Sequence, residues 1–252
     1  MTVELIDVQC SCGGYAAHQR QTIPVTEVLS SMDRLSISGA LLHIAAGTQS
    51  ELDIDPPHTN DRLYDFCRTD ARLVPCPIVL PAWGDDLPPE RDQVDACIRA
   101  GAAAVRLRPA RDGWNLADWC AKPLFAALCE RRMPAWCGDG EWPFAAVADA
   151  AGRYPEVPFI ITGVPYREQR SLVALLSSFK NIYCSIGSNY TVHEGIEQIV
   201  RRLGAGQLLF GTGFPNVEPA MAVAQLMYAG IDEADKALIG AGNFRRLQGS
   251  IA

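Results

Sequence analysis

Few residues of this 252-residue chain combine type and spacing in a way that suggests chemistry. Arg106 and Arg108 stand two apart, so on a strand they share a face, and a guanidinium at a strand end can hold a carboxylate or phosphate through two parallel hydrogen bonds. Arg108 is the candidate for ligand contact and Arg106 for an internal ion pair; the competing role for Arg108 is a similar pair with Asp7, Asp139 or Glu141. Asp139 and Glu141 follow the apolar run at 135–137, and a partly buried carboxylate there can act as a general acid or base. Asp139 is the catalytic candidate, whereas Glu141 is better placed to cap a helix opening at Pro143. Cys10 or Cys137 would serve as a nucleophile only beside a base that lowers its pKa, and the four histidines are His18, His43, His58 and His193. His43 lies in an apolar run and reads as a hydrogen-bonded core residue. His58, in a long connection, could swing over a pocket. Gly211-Thr212-Gly213 could offer backbone N–H groups to an anion, or simply pack tightly.

The elements that must position these residues alternate regularly. Short β-branched or apolar runs near 3–8, 40–45, 73–79, 104–107, 135–137, 159–162, 182–186 and 208–211 read as strands. Segments of helical period lie near 25–35, 60–68, 88–99, 123–131, 143–154, 167–179, 191–203 and 218–229, with another at 232–247. Proline at Pro88 and Pro143 suits a first helical turn, Gly101, Gly204 and Gly230 suit helix ends, and Thr191 with Glu194 has the spacing of a capping box. Eight βα units close naturally into a (β/α)8 TIM barrel, here one domain over 1–252, whose active surface lies at the strand C-termini and the loops after them. The connection at 47–59 is the main irregular insertion and a candidate lid.

Composition narrows the partners. The net charge of −7 disfavours nucleic acid and anionic lipid, which reward clustered Lys and Arg. No apolar run is long enough to span a membrane and no signal-peptide pattern opens the chain, so a cytoplasmic protein is expected. Nine scattered cysteines fit reduced thiols better than a disulfide framework, and Cys10-x-Cys12 has no second pair with which to build a zinc site.

Several segments resemble the family-2 amidohydrolases, metal-dependent TIM-barrel hydrolases. Leu208-Leu-Phe-Gly-Thr-Gly-Phe-Pro215 is similar to their eighth-strand Leu-Phe-Gly-Ser/Thr-Asp-Phe/Trp-Pro, and Asp7-Val-Gln-Cys-Ser11 stands where their Asp-x-His-x-His would be. Ala104-Val-Arg-Leu-Arg-Pro109 resembles their fourth strand, and the tail from Gly230 to Leu247 resembles their closing helix. The resemblance implies that Gln9, Ser11, Gly138, Gly163 and Gly213 occupy the metal-ligand positions, none of them with an imidazole or carboxylate. No metal and no other cofactor is therefore expected.

What remains is a pocket of Gln9, Ser11, Arg108, Cys137, Asp139, Tyr166, Asn189 and Gly213. The leading expectation is a pseudoenzyme: a barrel that binds a small anionic molecule, or that supports an active relative in a hetero-complex or stands as a homo-oligomer. The alternative is a metal-independent hydrolase, lactonase or decarboxylase that uses Arg108 and Asp139. A metal held by relocated thiols and His43 is the least favoured reading.

Overall fold

Each of the eight expected apolar runs is a strand in the computed structural model, which describes residues 3–13, 23–45, 55–138, 141–187 and 189–252. β1 (Ile6–Cys12), β2 (Gly39–Ile44) and β3 (Leu73–Pro75) pair in parallel in that order; β4 (Val105–Arg106), β5 (Ala135–Cys137), β6 (Phe159–Ile161), β7 (Ile182–Ser185) and β8 (Leu208–Leu209) do the same. Two seams close the ring. The Arg106 N–H donates to Pro77 O at 2.7 Å between β3 and β4, and the N–H groups of Val8 and Ser11 donate to Phe210 O and Phe214 O, each at 3.0 Å, between β1 and β8. The closed parallel (β/α)8 barrel is thus the one the alternation implied.

The helices alternate with the strands, and α1 (Val25–Leu35) spans the residues expected of it. α2 (Pro56–Cys67) opens a turn early because Pro56 and Pro57 fit its first positions, where no N–H is needed; His58 is consequently a helical residue. α3 (Glu90–Arg99) is followed by an unanticipated single turn, α4 (Pro109–Asp112), and then by α5 (Asp118–Arg131). Pro123 lies inside α5 and does not start it. α6 (Phe144–Arg153), a 3₁₀ turn (Tyr166–Glu168) with α7 (Gln169–Ser178), α8 (Gly195–Leu203) and α9 (Pro219–Met227) complete the ring. The expected Thr191–Glu194 capping box is not formed, because Glu194 takes a left-handed φ of 50° and itself precedes the helix. The tail divides into α10 (Glu233–Ala237), a π turn (Leu238–Gly242) and α11 (Asn243–Gly249).

Strand alternation sorts the core into two layers. Ile6, Val8, Leu41, Trp136, Ile160 and Leu209 form a barrel-interior layer together with Ala241, Phe244 and Leu247 of the tail. Ala40, Leu42, Ala135, Cys137 and Cys184 belong to the second cluster, with the apolar stripes of the helices. β1 breaks this alternation: its register against β2 slips between Asp7 and Cys10, so Val8 joins the interior layer while Cys10 joins the helix-facing one. Such a bulge re-aims the residues beyond it. It brings Gln9 and Ser11 to the mouth.

Candidate functional site

At the strand C-termini lies a cavity of about 330 Å³. Gln9, Ser11 and Gly213 of the expected pocket line it, joined by His43, Arg111, Glu141 and Asn216.

Its β1/β8 side is held by Asp7. This carboxylate is 2% exposed and accepts from Gln9 N–H at 2.9 Å, from Thr212 N–H at 2.8 Å and from the Thr212 hydroxyl. Burial pushes its pKa up in spite of those donors. The Gly213 N–H is also engaged, by Gln9 O at 2.9 Å, so these two N–H groups of the Gly211-Thr-Gly213 turn brace β1 and are not offered to an anion.

Above Asp7, the Gln9 carboxamide is ringed by glycines. Its Oε1 accepts from the Ser185 hydroxyl at 3.3 Å and lies 2.9 Å from where a Gly187 Cβ would stand. Its Nε2 lies 4.0 Å and 3.8 Å from the corresponding points at Gly163 and Gly213. A Cβ on Gly211 would come within 2.9 Å of the Gln9 Cβ. Gly163 and Gly213 have φ of 69° and 78°, a region that a side-chain-bearing residue enters only with strain. A side-chain-bearing residue at either point would therefore carry backbone strain, which Asp and His bear more readily than most.

The opposite wall is polar and interlocked. Arg108 is fully buried and grips Asp112 in a bidentate pair, Nε to Oδ2 at 3.0 Å and Nη2 to Oδ1 at 2.6 Å. It does not line the mouth cavity, so the expected ligand contact becomes an internal ion pair across α4. The guanidinium that does line the cavity is Arg111, three residues on. Glu141 accepts from the N–H groups of Ala110 and Arg111 at 3.0 and 3.2 Å, capping α4 and not the helix after Pro143. Beneath, Arg106 donates to Ile44 O at 2.7 Å and lies over Trp136, whose indole N–H reaches Val8 O at 2.9 Å.

Other expected site residues sit elsewhere. Cys137 faces the helices, because Trp136 takes the inward position on β5; Tyr166 is exposed on an outer groove beside α7; Asn189 lines a narrow crevice next to Gln9. Asp139, with Tyr15, His18 and most of the 47–59 connection, lies outside the described residues. His43 is buried as expected but lacks the expected hydrogen bond at Nδ1 and lines the cavity, where Arg111, a residue the sequence does not single out, joins it. The signal for Arg111 was Pro109 directly after the fourth strand, which suits a first helical turn carrying it to the rim.

A family model described as Amidohydrolase matches residues 30–249. The chain belongs to the amidohydrolase family. A search of curated proteins gives no match. Among solved structures the chain is similar to 5-carboxyvanillate decarboxylase from Novosphingobium aromaticivorans complexed with manganese, at TM-score 0.77 and 11% identity over 98% of this chain and 96% of that one. It is similar to 2,6-dihydroxybenzoate decarboxylase from Rhizobium at TM-score 0.73 and 14% identity, covering 98% and 99% of the two chains. It also resembles 5-carboxyvanillate decarboxylase from Sphingomonas paucimobilis at TM-score 0.71 and 13% identity over the full length of both.

A divalent cation, as the family implies, does not fit the described residues. Gln9 supplies a neutral amide, Ser11 an alcohol, and Gly138, Gly163 and Gly213 no side chain, whereas such a cation wants about three imidazole, thiolate or carboxylate ligands. A Cβ at Gly138 would collide with Trp136 and Thr162. Relocation to thiols fares no better: Cys10, Cys12, Cys137 and Cys184 belong to the helix-facing cluster and do not line the cavity, and burial raises the pKa of each metal-free thiol, leaving it protonated. No group of three or more His, Cys, Asp or Glu among the described residues could hold a metal. The same protonation counts against Cys10 or Cys137 as a nucleophile. Among the described residues no helix is long and apolar enough to cross a membrane.

Proposed function

We propose that this amidohydrolase-family barrel is a cytoplasmic pseudoenzyme that binds a small anionic molecule at its mouth without a metal. It acts as a homo-oligomer or as the supporting subunit of an active relative, with no role in binding nucleic acid. The observation that carries this reading is the Gln9 carboxamide lodged among Gly163, Gly187, Gly211 and Gly213. A neutral amide there cannot lower the pKa of a bound water as a Lewis acid does. Arg111 gives the rim a cation for an acid to meet, and a cavity of about 330 Å³ suits a compact ligand.

The test combines elemental analysis of protein dialysed against zinc and manganese with calorimetric titration of benzoate and citrate. Substoichiometric metal, together with acid binding that Arg111→Met abolishes, is expected. Full-occupancy metal at Gln9 would overturn the reading. A metal-independent decarboxylase is the second reading, favoured by the decarboxylases among its structural neighbours. On that reading 2,6-dihydroxybenzoate or 5-carboxyvanillate releases carbon dioxide with metal-free protein, and Asp139→Asn stops it. Arg108, held by Asp112, would contribute only through the charge it places beneath the mouth.

A further inference from the structure

His43 combines three properties that a merely structural histidine would not need. It is 5% exposed yet lines the mouth cavity. Among the described residues neither ring nitrogen takes part in a hydrogen bond, and Nδ1 is sealed from solvent. Its ring is also held in place: it lies against Trp136 with centroids 4.6 Å apart and an interplanar angle of 43°, and Trp136 is tied to Val8 O through its indole N–H.

Nδ1 is out of reach of any ligand, and among the described residues Nε2 has no protein partner either, so only a molecule in the cavity can give the ring a hydrogen bond. With Nδ1 sealed, Nε2 is the nitrogen the ring can present to the cavity. Burial first, and then the positive charges of Arg106 and Arg108, hold the imidazole well below its usual pKa, so the ring is neutral and carries one proton. A carboxylate can only accept, so a neutral ring that meets one through Nε2 carries its proton there.

We propose that the Nε2–H of His43 donates to one oxygen of a small carboxylate ligand whose charge is met by Arg111, so that the two side chains form the recognition pair of the mouth cavity. This rests on the small-acid reading above and assigns that reading its contact atoms. The ligand is a small carboxylate, held with no proton taken up by His43.

The test is imidazole ¹⁵N NMR on the full-length labelled protein, with His43→Phe identifying the resonance and benzoate as the probe. The free protein is expected to show the Nε2–H tautomer at His43, and saturating benzoate to shift that nitrogen. His43→Phe, which keeps a ring against Trp136, should weaken benzoate about tenfold, equivalent to about 1.4 kcal/mol. His43→Gln, which keeps a donor, should lose less. An Nδ1–H tautomer, or a His43 resonance that stays still while benzoate binds in an Arg111-dependent way, would overturn this assignment and leave the small-acid reading standing. No binding of benzoate or citrate to the wild type would overturn both. Should His43→Phe not fold, the wild-type spectrum, assigned instead from His43→Gln, still decides.

Discussion

The two halves of the barrel mouth are built on opposite plans. From β6, β7, β8 and β1 come Gly163, Gly187, Gly211, Gly213 and Gln9, a neutral wall in which one carboxamide is surrounded by residues without side chains. From β2, β4, β5 and their loops come His43, Arg106, Arg108, Arg111 and Glu141, which are charged or titratable and tied to one another through α4, Asp112 and Trp136. The first half contains most of the positions at which the family resemblance expects metal ligands, and it has closed around an amide. The second carries the charged and titratable groups of the mouth. The two walls thus differ in what they could offer a bound molecule: an amide and backbone on one side, charged and titratable side chains on the other.

The contrast can be broken most severely at its base. Asp7→Ala removes the acceptor for Gln9 N–H, Thr212 N–H and the Thr212 hydroxyl, which should destabilise the fold by about 3 kcal/mol or more. Urea unfolding should show a lower midpoint with an unchanged slope; a loss under about 1 kcal/mol would mean that the neutral wall does not depend on this carboxylate. Gly211→Ala tests how tightly that wall is closed. Its Cβ would press on Ser185 and Gln9, for an overpacking cost of about 1–3 kcal/mol in the same measurement.

On the polar wall, His43 gives a pH signature. Its folded pKa is depressed, so below the unfolded value of 6.5 the unfolded chain binds the extra proton. The stability His43 permits is complete above that pH and is lost as pH falls, with a limiting slope of about 1.4 kcal/mol per pH unit. Wild-type stability should therefore decline between about pH 6.5 and 5 more steeply than that of His43→Phe, by urea titration at each pH; parallel curves would show that the ring is protonated in the folded state. Arg111→Met should change stability least, by less than about 0.5 kcal/mol, since Arg111 is an exposed rim residue, while abolishing the calorimetric signal with benzoate. Benzoate binding unaffected by this change would move the anion site away from α4.

The barrel was largely legible because its signals are periodic: β5 and α1 fall on the residues expected, and all the strands appear in order. Boundaries failed where a local rule met a tertiary one. Pro123 lies within α5, where the N–H it lacks would have bonded Trp119 O. Thr191 and Glu194 have capping-box spacing, yet Glu194 turns left-handed and the helix starts one residue later. The mouth was less legible. The bulge that aims Gln9 and Ser11 inward leaves no mark in the alternation of β1, and the choice of Arg111 over Arg108 depends on the turn at Pro109 and on Asp112, four residues from Arg108. His43 looked like core because its neighbours are apolar; only the position of the strand end distinguishes it.

The Glu141 carboxylate, which belongs to the loop after β5, holds the first turn after β4 by its amides. Glu141 and the turn at Pro109 are thereby tied to each other before anything arrives between them. If the proposed acid binds there, the backbone that carries Arg111 would need little further ordering at the moment of capture, and the lifetime of the complex, more than its speed of formation, would vary from one ligand to the next.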